Sequence, residues 1–402
     1  MYRLVQRRGI IGLFCLLFVA SSVVPGWAQK DNRFEVSKNL DIFNSLLKEV
    51  EMFYVDSVDV DKTVQRGIEA MLAGLDPYTE YYPEQKTEEL SLMTTGEYGG
   101  IGSLIRQRNN EGGVMIAEPT EGMPADLAGL KPGDLILAID TIDVSKATNS
   151  RVSELLKGVP NTKMVLTIQR PGEKKPRKFE ITRKQITTPQ VTYYGVKNDS
   201  IGYIYLKAFT IKSAQEVKEA FLDLKKNHNI KSLVLDLRGN GGGVLEGAVQ
   251  IVGMFVPKGS EVLSTKGKIK QWDRTYRTST EPLDTVMPLA ILINGGTASA
   301  AEIVSGSLQD MDRAVLVGQR SFGKGLVQAP RDLPYNGKVK ITMSKYYIPS
   351  GRCIQQIDYS HRKEDGSVAA IPDSLTSVFY TSKKRPVRDG GGVRPEFEVK
   401  EP

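Results

Sequence analysis

Histidine is nearly absent from this sequence, which has only two in 402 residues. His228 lies in the polar stretch KKNHNIK and His361 in a charged segment, and neither follows an apolar strand. Catalytic residues of α/β proteins usually come from loops at the carboxyl ends of strands. The sequence therefore argues against a Ser-His-Asp triad, and a catalytic serine would need another base.

Cysteine is equally scarce, which argues against a disulfide-stabilised fold. The distribution of charged and apolar residues argues against a membrane-spanning or a nucleic-acid-binding protein. Cys15 lies in an apolar N-terminal run, so Cys353 is left alone in the rest of the chain and no internal disulfide is expected. After residue 28, no stretch is apolar enough to span a membrane. The formal net charge of +7 includes no long basic block, so we expect no nucleic-acid binding.

Residues 1–28 have the pattern of a secretory signal peptide. A short basic start precedes an apolar run over residues 10–24, and the small residues Gly26 and Ala28 stand before a cleavage point. A retained membrane anchor is the alternative, but the run of about 15 residues is shorter than the roughly 20 that a spanning helix needs. We therefore expect an exported protein without a transmembrane anchor after cleavage. The periplasm is the favoured compartment, with membrane association or secretion as alternatives.

Periodicity divides the remaining chain into three segments. Residues 29–87 carry apolar residues at three- and four-residue steps, which predicts helices that pack on their own chain or on a second subunit. Residues 88–185 read as a small β-rich module with two short helices. In residues 186–402, apolar strands alternate with helices, which predicts an α/β core with a mostly parallel sheet.

Three polar loops of this core each follow an apolar strand, at residues 236–244, 294–303 and 318–328. Ser299 follows a turn and precedes a predicted helix. It suits a helix N-cap. It also suits a nucleophile, because backbone N–H groups and the helix dipole at this position stabilise a developing oxyanion.

Lys324 lies in the stretch VGQRSFGKGLVQ, which is close to a phosphate-binding loop. A phosphotransferase is disfavoured, because Gly325 stands where a Ser or Thr would hold Mg²⁺ and no helix is predicted to follow. A lysine can instead serve as a base when burial lowers its pKa from about 10.4. A surface loop lysine is the remaining alternative.

Together, these motifs closely resemble those of the C-terminal processing peptidases, or tail-specific proteases. These are serine peptidases with a Ser-Lys dyad and an embedded PDZ domain. The resemblance covers nearly all of the chain after residue 28. It depends on PADLAGLKPGDLILAID in the β-rich module and on DLRGNGGGV, NGGTASAAEI, SFGKGLVQ and YYIPSGRCIQ in the core. After the signal peptide (1–28), it implies a helical segment (29–87), a PDZ domain (88–185) and a protease core (186–402).

The resemblance also implies roles for individual residues. Ser299 matches the nucleophile, Lys324 the general base and Gln328 the glutamine that orients the lysine. The N–H groups of Ala300 and Gly242 are the predicted oxyanion donors, with Gly241 or Gly243 as alternatives to Gly242. Such an enzyme needs no metal or nucleotide cofactor.

The PDZ-like module implies how substrates are selected. The loop that matches the carboxylate-binding position consists of Tyr98, Gly99, Gly100 and Ile101. A glycine-rich hairpin turn is the simpler interpretation of these four residues alone. The expected partners are proteins or peptides with free C-termini, and the N-terminal helices make a homodimer plausible. We therefore expect an exported serine endopeptidase that selects C-terminal tails; the alternative is a non-catalytic PDZ scaffold on an inactive protease-like core.

Overall fold

The computed structural model describes residues 33–108 and 112–400, so the predicted signal peptide lies outside the described residues. The chain divides into two compact units, one ending at Ile68 and the other starting at Glu69. The first helices are α1 (Arg33–Phe53) and α2 (Val60–Ala73). Helix α1 has no buried residue. None of the helices in the described part of the chain is long and apolar enough to cross a membrane.

The second unit opens with a short connecting segment. It contains strand β1 (Glu80–Tyr82), helix α3 (Thr87–Thr95) and strand β2 (Glu97–Gly100). Gly96 ends α3 in the left-handed conformation, with φ of +71°, which glycine adopts without steric cost. Strand β2 pairs with β9 (Lys184–Thr187). This pairing connects the start and the end of the β-rich module that lies between the two strands in the sequence.

The predicted β-rich module is built on a single sheet. Its sheet has the order β3-β4-β5-β7-β8, with β6 beside β5. These strands are β3 (Ser103–Gln107), β4 (Val114–Pro119), β5 (Leu135–Ile139), β6 (Ile142–Asp143), β7 (Lys163–Gln169) and β8 (Arg177–Thr182). Helices α4 (Pro124–Leu127) and α5 (Asn149–Leu156) belong to the same module. Alternate residues of β7 are buried, as expected for a sheet with one covered face.

The predicted α/β core is built on a six-stranded sheet of order β10-β11-β12-β15-β16-β21. Its strands are β10 (Val191–Lys197), β11 (Ile201–Leu206), β12 (Ser232–Asp236), β15 (Leu289–Ile293), β16 (Val315–Gly318) and β21 (Phe397–Glu398). All pairs except β10–β11 are parallel. The helices are α6 (Ser213–Asn227), α7 (Leu245–Gly253) and α8 (Ala300–Asp310). Every residue of α8 is buried, which places this helix inside the core.

A second, antiparallel sheet adjoins the core. Strand β18 (Lys338–Tyr347) is its centre and pairs with β1, β13 (Glu261–Gly267) and β17 (Leu326–Asp332), while β14 (Arg274–Arg277) pairs with β13. A separate hairpin consists of β19 (Val378–Tyr380) and β20 (Pro386–Arg388). The predicted architecture of a helical segment, a small β-rich module and an α/β core with a mostly parallel sheet is confirmed.

Candidate active site

The three polar loops identified in the sequence follow β12, β15 and β16, which are adjacent parallel strands. Their carboxyl ends therefore lie at one edge of the sheet. The first two loops are joined directly: the buried Thr297 hydroxyl donates to Leu237 O at 2.8 Å, and Ala298 N–H donates to Asn240 O at 2.9 Å. These bonds fix the backbone that leads to Ser299.

Ser299 lies between β15 and α8 in a strained conformation, with φ of +54° and ψ of −115°. A positive φ in a residue other than glycine costs about 1–3 kcal/mol and is commonly found at functional sites. A catalytic serine on a sharp strand-to-helix turn has its hydroxyl presented at the top of the sheet. The side chain is partly exposed, so a substrate can reach it.

Glu302, in the first turn of α8, binds both the serine loop and the lysine loop. Its fully buried carboxylate accepts the backbone N–H groups of Ser299 (2.8 Å), Gly323 (2.7 Å) and Lys324 (2.8 Å), and the hydroxyl of Ser321 (2.5 Å). Burial raises the pKa of Glu302, whereas the four donors favour its charged form. The sequence analysis gave this residue no role. The Ser-x-x-Glu spacing of a helix start was the available signal.

The amine of Lys324 lies 4.2 Å from the centre of the Tyr78 ring. Burial lowers the pKa of Lys324 to about 8, and the positive charge of Lys340 acts in the same direction. Three acidic groups oppose this shift: Glu80, Asp76 and Glu302. After Lys324 the chain enters strand β17, whereas a phosphate-binding loop would enter a helix. The surroundings are thus those of a lysine that is neutral in mildly alkaline solution.

The side chains predicted to form the dyad are not hydrogen-bonded to each other. Among residues 33–108 and 112–400, no hydrogen bond joins Ser299 Oγ to Lys324 Nζ. Gln328 donates through Nε2 to Thr342 Oγ1 at 3.0 Å rather than contacting the lysine through a hydrogen bond. The structure therefore brings the loops of the predicted dyad together through Glu302, and the role of Gln328 stays a prediction.

Gly242 lies against the serine turn. A Cβ at this glycine would stand 2.8 Å from Ser299 Cβ and 2.9 Å from Ala300 N, and its φ is +94°, so only glycine fits without strain. Its own N–H donates to Asn240 Oδ1 at 2.9 Å. Ala300 opens α8, where an N–H has no partner within the helix. Of the two predicted donors, Ala300 is therefore the one whose N–H is not already bonded, and the oxyanion role of both residues stays a prediction.

The four residues predicted to bind a carboxylate have different surroundings. Tyr98 and Gly99 line a cavity of about 240 Å³. A Cβ at Gly99 would lie only 1.8 Å from Gly158 O, so the backbone segments of these two glycines approach each other closely. Ile101 is buried, and its carbonyl accepts the N–H of Ala125. Gly100 is packed beneath the Tyr98 ring, which a Cβ would meet at 2.7 Å. The assignment of these residues to carboxylate binding stays a prediction.

Comparison with known proteins agrees with this architecture. Peptidase family S41 matches residues 200–360, and the PDZ domain family matches residues 115–170. The carboxy-terminal-processing protease of Bartonella bacilliformis is 36% identical over 345 residues, which is 85% of this chain and 77% of that protein. A probable CtpA-like serine protease of Staphylococcus aureus is 33% identical over 320 residues, or 79% of this chain and 62% of that protein. The solved photosystem II D1 C-terminal processing protease is 27% identical, with a TM-score of 0.46 over 88% of this chain and 86% of that chain.

The matches to peptidase family S41 and to the PDZ domain family, together with the carboxy-terminal-processing relative, define a serine-type peptidase that contains a PDZ domain. The chain belongs to peptidase family S41, among the C-terminal processing proteases. The family resemblance and the enzyme class predicted from the sequence are confirmed.

Proposed function

We propose that this protein is an exported serine endopeptidase in which Ser299 is the nucleophile and neutral Lys324 is the general base. The observation that carries the proposal is the shared carboxylate of Glu302, which binds the backbone of both residues. This buried carboxylate holds the two loops together. Burial of the Lys324 amine lowers its pKa and therefore the free energy of removing its proton.

In acylation, Ser299 Oγ forms a bond to the substrate carbonyl carbon as its proton moves to Lys324 Nζ. The C–N bond then breaks, and the proton passes from Nζ to the leaving amine. In deacylation, water attacks the ester, Lys324 takes the water proton, and Oγ leaves and regains a proton. The amine must turn from the Tyr78 ring toward Ser299 for the first step, since the two groups are not hydrogen-bonded in this structure.

The oxyanion of the tetrahedral species is stabilised by the N–H of Ala300 and by one N–H of the loop 239–243. One such donor is worth about 10²–10³ in rate. Gly242 can donate once its N–H leaves Asn240 Oδ1. The alternatives to Gly242 are the N–H groups of Gly241 and Gly243, which have no acceptor within the described parts of the chain.

Substrate selection is proposed to occur at the PDZ-like domain. Strand β3 is an edge strand that pairs only with β4 among the described strands, so an extended tail can add to its free side. The chain bearing Ser299→Ala should bind a tail peptide with a free carboxylate more tightly than the C-terminally amidated peptide. Equal affinity for both would remove carboxylate recognition from the proposal.

Two further parts of the proposal concern the N-terminal region. Residues 1–28 support export, and N-terminal sequencing of the mature protein should begin near Gln29. Helix α1 exposes large apolar side chains, including Leu40, Phe43 and Phe53, which supports association between two copies. Sedimentation should show a dimer that Phe43→Ser weakens, and a concentration-independent monomer would refute the association.

The decisive experiment is mass spectrometry of the cleavage products of an unfolded protein with a defined tail. The wild type should release discrete fragments, and Ser299→Ala and Lys324→Ala should each lose at least about 10⁴-fold in rate. Cleavage retained by either variant would refute the dyad. A wild type that binds the tail without cleaving it would favour the scaffold alternative.

A further inference from the structure

The segment between α2 and α3 reaches the lysine loop from far away in the sequence. It reads DPYTEYY over residues 76–82, and its strand β1 pairs antiparallel with β18, with Glu80 opposite Lys340. The buried Asp76 carboxylate accepts the N–H groups of Tyr78 (2.8 Å) and Thr79 (2.9 Å). The backbone on both sides of the Tyr78 side chain is therefore fixed.

The same segment is hydrogen-bonded to the strand that contacts Gln328. Thr79 Oγ1 donates to Asp76 Oδ2 at 3.0 Å and accepts the N–H of Thr342 at 3.2 Å. The hydroxyl of Thr342 in turn accepts Nε2 of Gln328 at 3.0 Å. A chain of hydrogen bonds thus connects the Tyr78 segment to a predicted catalytic residue.

Tyr78 and Tyr359 form an aromatic pair beside the amine of Lys324. The Tyr78 ring centre lies 4.2 Å from Lys324 Nζ, and the Tyr359 ring meets Tyr78 edge-on at 6.0 Å and 89°. Burial raises the pKa of Tyr78, so its phenol stays protonated while the lysine titrates. The amine therefore contacts a neutral aromatic face.

We propose that Tyr78 is a positioning residue for the general base: its ring covers the Lys324 amine and excludes water until the amine turns to Ser299. This inference rests on the proposed function, because it assigns Lys324 the role of base. Tyr78 belongs to neither the serine loop nor the lysine loop, so the base is completed by a segment outside the three polar loops of the core.

An aromatic ring has two opposing effects on a neighbouring amine. The face of the ring attracts the charged form, whereas exclusion of water disfavours it. Burial is the main cause of the lowered pKa of Lys324. The nearby charges are Lys340, which favours the neutral form, and Glu80, Asp76 and Glu302, which favour the charged form. We infer that exclusion of water is the larger effect of Tyr78.

The test measures the titration of Lys324 without relying on proteolysis. The full-length chain with Ser299→Ala is acetylated with acetic anhydride between pH 6 and 11, and the peptide containing Lys324 is quantified by mass spectrometry. Adding Tyr78→Ala should raise the titration midpoint by at least one pH unit, because water then reaches the amine. Tyr78→Phe and Tyr78→Leu should stay near the parent value. Tyr81→Ala, in the same segment 76–82, is the matched control and should also leave the midpoint unchanged.

An unchanged or lowered midpoint in Tyr78→Ala, or a midpoint in Tyr78→Leu as high as that in Tyr78→Ala, would overturn the inference. Circular dichroism melting of every variant shows whether the fold is retained. In the active enzyme, Tyr78→Ala should lower kcat/KM at pH 7 by at least about tenfold and recover at alkaline pH, since one pKa unit is a tenfold change in the neutral fraction. If Lys324→Ala keeps its activity while the titration shift is present, the proposed function fails and the effect of Tyr78 on the amine stands.

Discussion

The backbone of the candidate site and its side-chain tips differ in how they are held. The turn at Ser299 and the loop at Lys324 are both fixed by the buried carboxylate of Glu302. By contrast, the reactive tips contact other partners: the Lys324 amine lies on the Tyr78 ring and the Gln328 amide binds Thr342. The main chain of the two loops is thus held by one shared group, whereas the proposed catalysis requires the side chains of Lys324 and Gln328 to leave their present partners. Four substitutions test this comparison, from the largest expected effect on activity to the smallest.

Lys324→Met should lower the rate of peptide cleavage by at least about 10⁴-fold, because the general base is lost. The same change should raise the free energy of unfolding at pH 7 by about 1–3 kcal/mol, because a charge is no longer buried. The pKa of Lys324 is lowered in the folded chain, so the cost of burial is fully present below about pH 8 and disappears as the pH rises toward 10. Urea unfolding of both proteins across this range measures the difference.

Lys324→Arg is the control for this prediction, since arginine cannot deprotonate. It should be inactive without the gain in stability. Equal stability of Lys324→Met and the wild type at pH 7 would contradict a buried, unfavourable charge at this position.

Glu302→Gln should lower kcat by about a hundredfold, because an amide group replaces one oxygen of the acceptor pair that fixes both loops. The unfolding free energy should fall by about 1–3 kcal/mol, as buried donors lose their acceptor. Ser321→Ala is the matched control, because it removes one donor to Glu302 and leaves the backbone bonds of Ser299 and Lys324. Wild-type kcat in Glu302→Gln would show that the shared carboxylate does not position the loops.

Gln328→Ala should lower kcat/KM by about tenfold if the amide orients the amine, since one hydrogen bond is worth roughly 1.5 kcal/mol. Thr342→Val removes the present partner of Gln328 and should have a smaller effect. If both variants lose activity equally, Gln328 acts through Thr342 and its predicted contact with the lysine is wrong.

Tyr346→Phe should have the smallest effect, less than about fivefold on kcat. The Tyr346 hydroxyl is buried and donates to Ser299 O at a long 3.3 Å, so the serine turn depends on it only weakly. Steady-state kinetics measure the change. A loss as large as that of Glu302→Gln would show that the turn is held from the tyrosine side instead.

Local patterns predicted local structure well. The β-rich module with two short helices was predicted for residues 88–185, and the structure has a sheet with α4 and α5 there. Glycine-rich loops after apolar strands correctly identified where the loops of the core converge. Each of these features depends on neighbours in the sequence, which is why the sequence alone was sufficient.

Long-range contacts could not be read from such patterns. The Ser213-x-x-Glu216 spacing resembles a capping box, but the Glu216 carboxylate binds the N–H groups of Gln190 and Val191 instead. The hairpin β19–β20 falls in a polar stretch without alternation. Tyr78 contacts Lys324 beside the pairing of β1 with β18, and no local sequence pattern predicted that pairing.

The central claim is that an uncharged amine at Lys324 removes the proton of Ser299. Its most direct test is the rate at which Ser299 is acylated by a peptide ester, followed by intact-protein mass spectrometry as a function of pH. The account predicts a rate that rises with pH to a midpoint near 8 in the wild type and is abolished in Lys324→Ala. Acylation of Ser299 in Lys324→Ala with the wild-type rate and pH dependence would contradict it.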